Sequence, residues 1–212
     1  LGESGNSVGA RLVGALPGQG GLNAGQMLTQ PMKALLLLNI EPVLDAADPS
    51  ATRRALAASG LVVALTPFKD VAVEHADVLL PITPFTETAG TFVNAEGRAQ
   101  SFHGVVRPLG DARPAWKVLR VLGNLLGLDG FAQESSDEVR AEALGDLSTI
   151  TTRLDNGSAA SPSSIGAAPS GLERVADVPI YTTDLIVRRA PSLQLTTDAR
   201  SPMVGLPSTL WQ

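Results

Sequence analysis

Apolar residues cluster in three short, nearly unbroken runs, at residues 33–39, 61–65 and 78–80, separated by segments rich in alanine, proline and charge. Continuous apolar runs of this length predict strands buried on both faces, as in a parallel sheet. Between the first two runs, residues 50–59 are alanine-rich and predict a helix, with Ser50 as N-cap and Gly60 at the stop. A short helix is expected over residues 71–76, and Pro81 closes the third run. This βαβαβ rhythm implies a doubly wound, mostly parallel sheet with right-handed crossovers.

The pattern changes after Ile82. Residues 82–110 are irregular in proline, threonine and glycine, and predict a long ordered excursion over one edge of the sheet. Regularity resumes at Pro114, which opens a helix carrying Trp116, Leu119, Leu122 and Leu126 at three- to four-residue spacing until Gly127 supplies a left-handed stop. All four side chains are expected to face inward, each contributing about 1.5–3 kcal/mol before entropy is subtracted. Trp116 is therefore expected in the core. Ser135, with Glu138 three residues later, signals a second, outer helix running to about Leu147. Residues 156–171 (NGSAASPSSIGAAPSG) have little to bury and read as a linker. Beyond them, residues 178–211 carry only scattered apolar positions.

Composition narrows the picture. With 212 residues, 44% hydrophobic and 17% charged, and a net charge of −5, the chain is globular and mildly acidic. It has no basic patch suited to phosphate backbones, so nucleic acid is not an expected partner. Cysteine is absent, which removes disulfides, zinc thiolates and iron–sulfur ligation from this stretch. The longest apolar run, residues 34–38, is far short of the roughly 20 residues of a membrane-spanning helix, so no direct membrane insertion is expected. The first residue is not Met, and residues 207–212 resemble a helix start without a body; a piece of a longer polypeptide is expected.

The stretch ADVLLPITPFTETAGTFVNAEGRAQSFHGVVRPLGDARPAWKVLRVLGNLLGL (residues 76–128) resembles the molybdopterin oxidoreductase family, in the form of the large peripheral-arm subunit of bacterial NADH-quinone oxidoreductase, respiratory complex I. The likeness continues through KALLLLNIEPVLDAADP (33–49) and LVVALTPFKD (61–70), and more loosely through YTTDLIVRRAPSLQLT (181–196). It implies the C-terminal half of a molybdopterin-oxidoreductase-like α/β domain (1–130), an outer helix (131–154), a Gly/Ser/Ala/Pro linker (155–175) and the start of a β-barrel domain (176–212). It further implies a structural portion of an enzyme that passes electrons from NADH through FMN and iron–sulfur clusters to quinone, coupled to proton translocation. No cofactor is expected in this stretch, and the parent subunit is implied to hold 4Fe-4S and 2Fe-2S clusters elsewhere. The implied partners are other peripheral-arm subunits, and the implied location is the cytoplasmic face of the bacterial inner membrane. The alternative is a fragment of a catalytic, formate dehydrogenase-like molybdopterin enzyme binding a pterin dinucleotide.

Candidate chemistry has a plain reading beside each functional one. Asn39 and Pro42 follow the first strand, and Thr66 and Asp70 the second, where open α/β sheets place ligands. They read as a vestigial dinucleotide cleft or as ordinary turns, and the resemblance favours the turns. The motif Glu87, Gly90, Thr91, Asn94, Glu96, Gly97 and Arg98 offers an acid or base and an anion clamp. Its structural reading has Arg98 bridging Glu87 or Glu96, glycines allowing tight turns, Asn94 tolerant of left-handed geometry, and the excursion locked down. The glycine-rich loop 18–23 lacks a P-loop ending and reads as a turn. His75 is expected at the surface or as a cap. His103 is titratable near neutrality but has no nucleophile or metal set beside it. Arg188 and Arg189 read as a docking pair or as solvated charge. No catalytic residue and no metal ligand is expected.

Overall fold

The computed structural model describes residues 5–154, 179–199 and 203–210. The chain divides into two compact units, Leu1–Ser158 and Ala159–Gln212. The expected linker at 155–175 and Trp211 lie outside the described residues.

In the first unit, β1 (Leu35–Leu38), β2 (Val62–Thr66) and β3 (Val78–Pro81) form a parallel sheet in the order β1-β2-β3. Leu35 pairs with Val62, and Val63 with Val78. The order runs one way, without reversal among the described strands. Two short helices, α1 (Ser7–Leu12) and α2 (Ala24–Met27), precede the sheet, and α3 (Pro42–Asp45) and α4 (Pro49–Ala58) make the first crossover. The second crossover is the single 3₁₀ turn Ala72–Glu74 rather than a helix over 71–76.

Asp48, not Ser50, caps α4: Pro49 occupies the first helical turn, and the Asp48 carboxylate accepts the Ala51 N–H at 2.9 Å. One face of the sheet is dry. Leu35, Leu37, Val62 and Ala64 pack there with Val43, Leu56 and Ala72, backed by Met27 and Met32. The other face differs from the expectation of burial on both sides. It is closed over Leu65 in the central strand, but Leu36 is 48% and Leu38 41% exposed at β1, and Val78 is 42% exposed at β3. The apolar run is the same on both faces; what differs is the layer of helices, which covers only one.

The ordered excursion expected over residues 82–110 is more regular than its sequence pattern implies. It contains an antiparallel hairpin, β4 (Gly90–Val93) and β5 (Ala99–Phe102), preceded by the 3₁₀ turn Phe85–Glu87. One face, carrying Val93 and Ala99, packs on Leu144 and Ile150 as a second core. The other carries Phe92 and Phe102, which cluster with Phe85 at ring-centroid separations of 4.7 to 6.5 Å.

α5 (Ala115–Leu125) begins after Pro114 and ends in a Schellman motif. Gly127 is left-handed, its N–H donates to Asn124 O, and the Leu128 N–H reaches back to Gly123 O at 3.0 Å. Its expected inward face is corrected in two places. Trp116 is half-buried rather than core, and Leu126, sitting at the C-cap beyond the last full turn, is 65% exposed. α6 (Ser136–Leu144) has the expected Ser135 cap, whose hydroxyl accepts the Glu138 N–H at 3.1 Å, while the Glu138 carboxylate accepts from Glu134. It stops before Leu147 because Gly145 turns left-handed, and the 3₁₀ segment Leu147–Arg153 follows.

The described part of the second unit consists of helical turns: Ile180–Thr182, α7 (Leu185–Arg188), α8 (Pro191–Gln194), Thr197–Ala199 and Ser208–Leu210. The Asp184 carboxylate caps α7 by accepting from Ile186 and Val187. Gln194 donates to Tyr181 O and Val187 O, tying the turns together. Among the described residues this unit has no strand, so the expected approach to a β-barrel is helical here. No helix among the described residues is long and apolar enough to cross a membrane.

Candidate functional site

The carboxyl ends of β1, β2 and β3 bring together Asn39, Glu41, Thr66 and Thr83. Asn39 turns the chain with a left-handed φ of 51°, its N–H held by Leu65 O, and leaves its side chain exposed. Pro42 is fully buried as the first residue of α3, which makes it a packing residue. Glu41, 4% exposed, N-caps that helix, and its N–H donates to Asp45 Oδ2 at 2.7 Å. Thr66 is buried, and its hydroxyl is spent on its own loop: it donates to Phe68 O at 2.9 Å and accepts the Phe68 N–H at 3.1 Å. Asp70 lies exposed beyond that loop. Sequence reasoning missed Thr83, which is 5% exposed with a hydroxyl that has no hydrogen-bond partner. Only the position of a Thr two residues past a closing proline hinted at it.

A pterin dinucleotide carries a pyrophosphate, which calls for backbone N–H groups or cations. This edge supplies one buried, unpartnered hydroxyl, one exposed amide, the single exposed ammonium of Lys69 and, against it, the carboxylates of Glu41, Asp45 and Asp70. That donor set does not by itself fit the group.

The hairpin motif is held by local hydrogen bonds and close contacts. Asn94 is not left-handed; its Oδ1 accepts the Glu96 and Arg98 N–H groups at 3.0 and 2.8 Å, and Gly97, at φ 83°, takes the left-handed position. A Cβ at Gly97 would also meet Leu154 at 2.9 Å. Gly90 lies under the Phe102 ring, where a Cβ would come within 2.5 Å. The expected Arg98 bridge is corrected: among the described residues neither Glu87 nor Glu96 pairs with it. Glu87 instead accepts the Leu109 N–H at 3.1 Å, fastening the loop after β5. Thr91 bonds Ser101 across the strands at 3.0 Å, and Ser101 receives the Arg140 guanidinium.

The free edge of β4 is closed by a residue that sequence reasoning did not single out. The Asn6 carboxamide donates to Thr91 O at 3.3 Å and accepts the Val93 N–H at 2.7 Å, as a neighbouring strand would. Asn6 itself is left-handed at φ 64°.

The remaining candidates resolve locally. In loop 18–23, Asn23 caps α2 in a reciprocal capping box with Gln26. His75 takes the capping position expected of it, at the C-cap of the Ala72–Glu74 turn with its N–H donating to Ala72 O, but it is half-buried rather than superficial: burial lowers its pKa from 6.5, Glu74 opposes the shift, and Nε2 is buried without a partner. His103 is exposed on the hairpin end. Arg188 and Arg189 donate to Thr182 O and Leu185 O. Among the described residues no group of three or more His, Cys, Asp or Glu could hold a metal ion.

The first unit is a mixed α/β unit built on a parallel sheet, and residues 1–125 match the molybdopterin oxidoreductase family, to which the chain belongs. Within it the chain is 40% identical over 99 residues to an NADH-quinone oxidoreductase subunit of Mycobacterium bovis, and equally to the corresponding protein of Mycobacterium tuberculosis. The aligned stretch is 45% of this chain and 12% of each of those proteins. The chain is also 46% identical over 55 residues, 26% of its length, to a putative formate dehydrogenase of Staphylococcus aureus, covering 6% of that protein.

Proposed function

We propose that the chain is a framework portion of the large peripheral-arm subunit of an NADH-quinone oxidoreductase, whose assembly passes electrons from NADH through FMN and iron–sulfur clusters to quinone and couples this to proton translocation. Residues 1–130 form part of its molybdopterin-oxidoreductase-like domain, completed in the parent into a doubly wound sheet. Residues 131–154 add an outer helix, 155–175 a linker, and 176–212 the approach to a terminal β-barrel domain. The 4Fe-4S and 2Fe-2S clusters belong to other regions of the parent. Its partners are other peripheral-arm subunits, on the cytoplasmic face of the inner membrane. Asn39, Pro42, Thr66 and Asp70 are a vestigial cleft; Glu87, Gly90, Thr91, Asn94, Glu96, Gly97, Arg98 and Trp116 serve packing and loop geometry.

What carries this reading is the half-covered sheet. Purely parallel sheets are stable with both faces covered, yet Leu36, Leu38 and Val78 stand open. Such a face fits a domain finished by further chain. The chain has no cysteine, so Leu36→Cys reports on that face alone. The thiol should react with maleimide in the 212-residue chain and be protected in the intact subunit; equal reactivity in both would sink the framework reading.

A second reading, a fragment of a catalytic formate dehydrogenase-like enzyme, is favoured by the unpartnered hydroxyl of Thr83 at the strand ends. Molybdenum and pterin bound in the intact protein would distinguish it.

A further inference from the structure

Between α1, the inner face of the hairpin and α6 lies a cavity of about 390 Å³, within the range of about 300–1,000 Å³ that small-molecule sites occupy. Its walls are mainly apolar, with Ala10, Val13, Phe102, Trp116 and Val139 among them. The charged and titratable groups in the lining are Arg140, Asp137 and His103. Arg140 is held across one wall: Nη1 donates to Ser101 Oγ at 3.0 Å, and Nη2 meets Asp137 Oδ1 at 3.1 Å. Ser101 is in turn bonded to Thr91, also at 3.0 Å.

The contacts of Arg140 are weaker than those of a buried ion pair. Asp137 is one helical turn away with its side chain 59% exposed, whereas that of Arg140 is only 31% exposed. A solvated i,i+3 pair contributes little, and a guanidinium has five N–H donors, more than these two contacts use. The result is an oriented cation, more buried than its counter-ion, at the edge of an apolar chamber.

We propose that this cavity binds small monocarboxylates with an apolar ring body, the body lying against Val13, Trp116 and Val139 and the carboxylate pairing with Arg140. This goes beyond the framework role and does not depend on it. Charge-assisted pairing of a carboxylate with Arg is among the stronger single polar contacts, and ring burial supplies the rest.

The 212-residue chain titrated calorimetrically with 2-naphthoate tests the proposal, with 2-naphthalenemethanol as the neutral counterpart. One-to-one binding of naphthoate is expected. Arg140→Met should weaken it about tenfold while leaving the alcohol unchanged, since only the charge-assisted bonds are lost. Asp137→Asn should tighten it by releasing the guanidinium. Ala10→Leu, which narrows the chamber from α1, should abolish binding of both compounds; Val139→Phe from the α6 side does the same if Ala10→Leu impairs folding, judged by circular dichroism. Absence of binding, an Arg140→Met variant with unchanged naphthoate affinity, or full affinity in a folded narrowed variant would each overturn the proposal.

Discussion

In the parallel sheet, Leu35, Leu37, Val62 and Ala64 meet because consecutive apolar residues alternate between faces and one face is roofed by α3 and α4. In the β4–β5 hairpin, four-residue strands bury only Val93 fully, and polar side chains do much of the fastening. Asn6 closes the edge of β4, Asn94 shapes the turn, Glu87 pins the following loop, and Arg140 ties β5 to α6. A two-stranded ribbon is marginal alone, so these bonds substitute for the missing third strand. The contrast teaches that one compact unit combines a region stabilised by burial with a region stabilised by specific hydrogen bonds.

The largest expected effect tests the burial half of the contrast on one strand. Leu37 is 3% exposed and its neighbour Leu36 is 48% exposed. Leu37→Ala should destabilise the chain by about 2–5 kcal/mol, and Leu36→Ala by well under half of that, both read from urea denaturation midpoints. Equal losses would mean that the two faces are covered alike.

Asn6→Ala comes next. It strips partners from two backbone groups of β4, one of them on buried Val93, and should destabilise by about 1–3 kcal/mol. Hydrogen exchange at the Val93 amide should accelerate while that of Leu37, in the sheet, does not. Uniform acceleration at both sites would show that Asn6 supports the whole unit rather than the hairpin.

Trp116→Ala should destabilise less than Leu37→Ala, because its side chain is half-buried on the cavity wall. The same denaturation assay ranks the pair, and the reverse order would restore Trp116 to the core.

How much was legible follows from these cases. The three apolar runs announced the sheet because burial acts on consecutive residues, and Gly127 announced the end of α5 because a left-handed stop is a local requirement. The hairpin was hidden: in Thr91-Phe92-Val93 and Gln100-Ser101-Phe102 the alternation is too short to stand out among prolines and glycines. Asn6 acts 85 and 87 residues away from its partners, and no spacing rule reaches so far. Thr83 and His75 were unreadable for a related reason, since burial of a lone polar group is a tertiary fact. The strand-end positions Asn39 and Thr66 were located correctly, but that the Thr66 hydroxyl turns back to Phe68 could not be read from the residue type.

The smallest effect is the pH response of His75. Its pKa is lowered in the folded chain, chiefly by burial, with Glu74 opposing. The unfolded chain therefore binds a proton more readily as pH falls below about 6.5. The stability from this residue is present above that pH and is lost between it and the lower folded value. The drop in melting temperature from pH 7.5 to 5.5 should be smaller in His75→Gln than in the wild type; an identical drop would remove His75 from the account.

The framework role is tested most directly by molybdenum and pterin analysis of the intact subunit, purified with its neighbours. The strand-end donor set of Asn39, Glu41, Thr66 and Thr83 predicts neither in stoichiometric amount. One pterin dinucleotide per subunit, released on denaturation and lost in Thr83→Val, would contradict it.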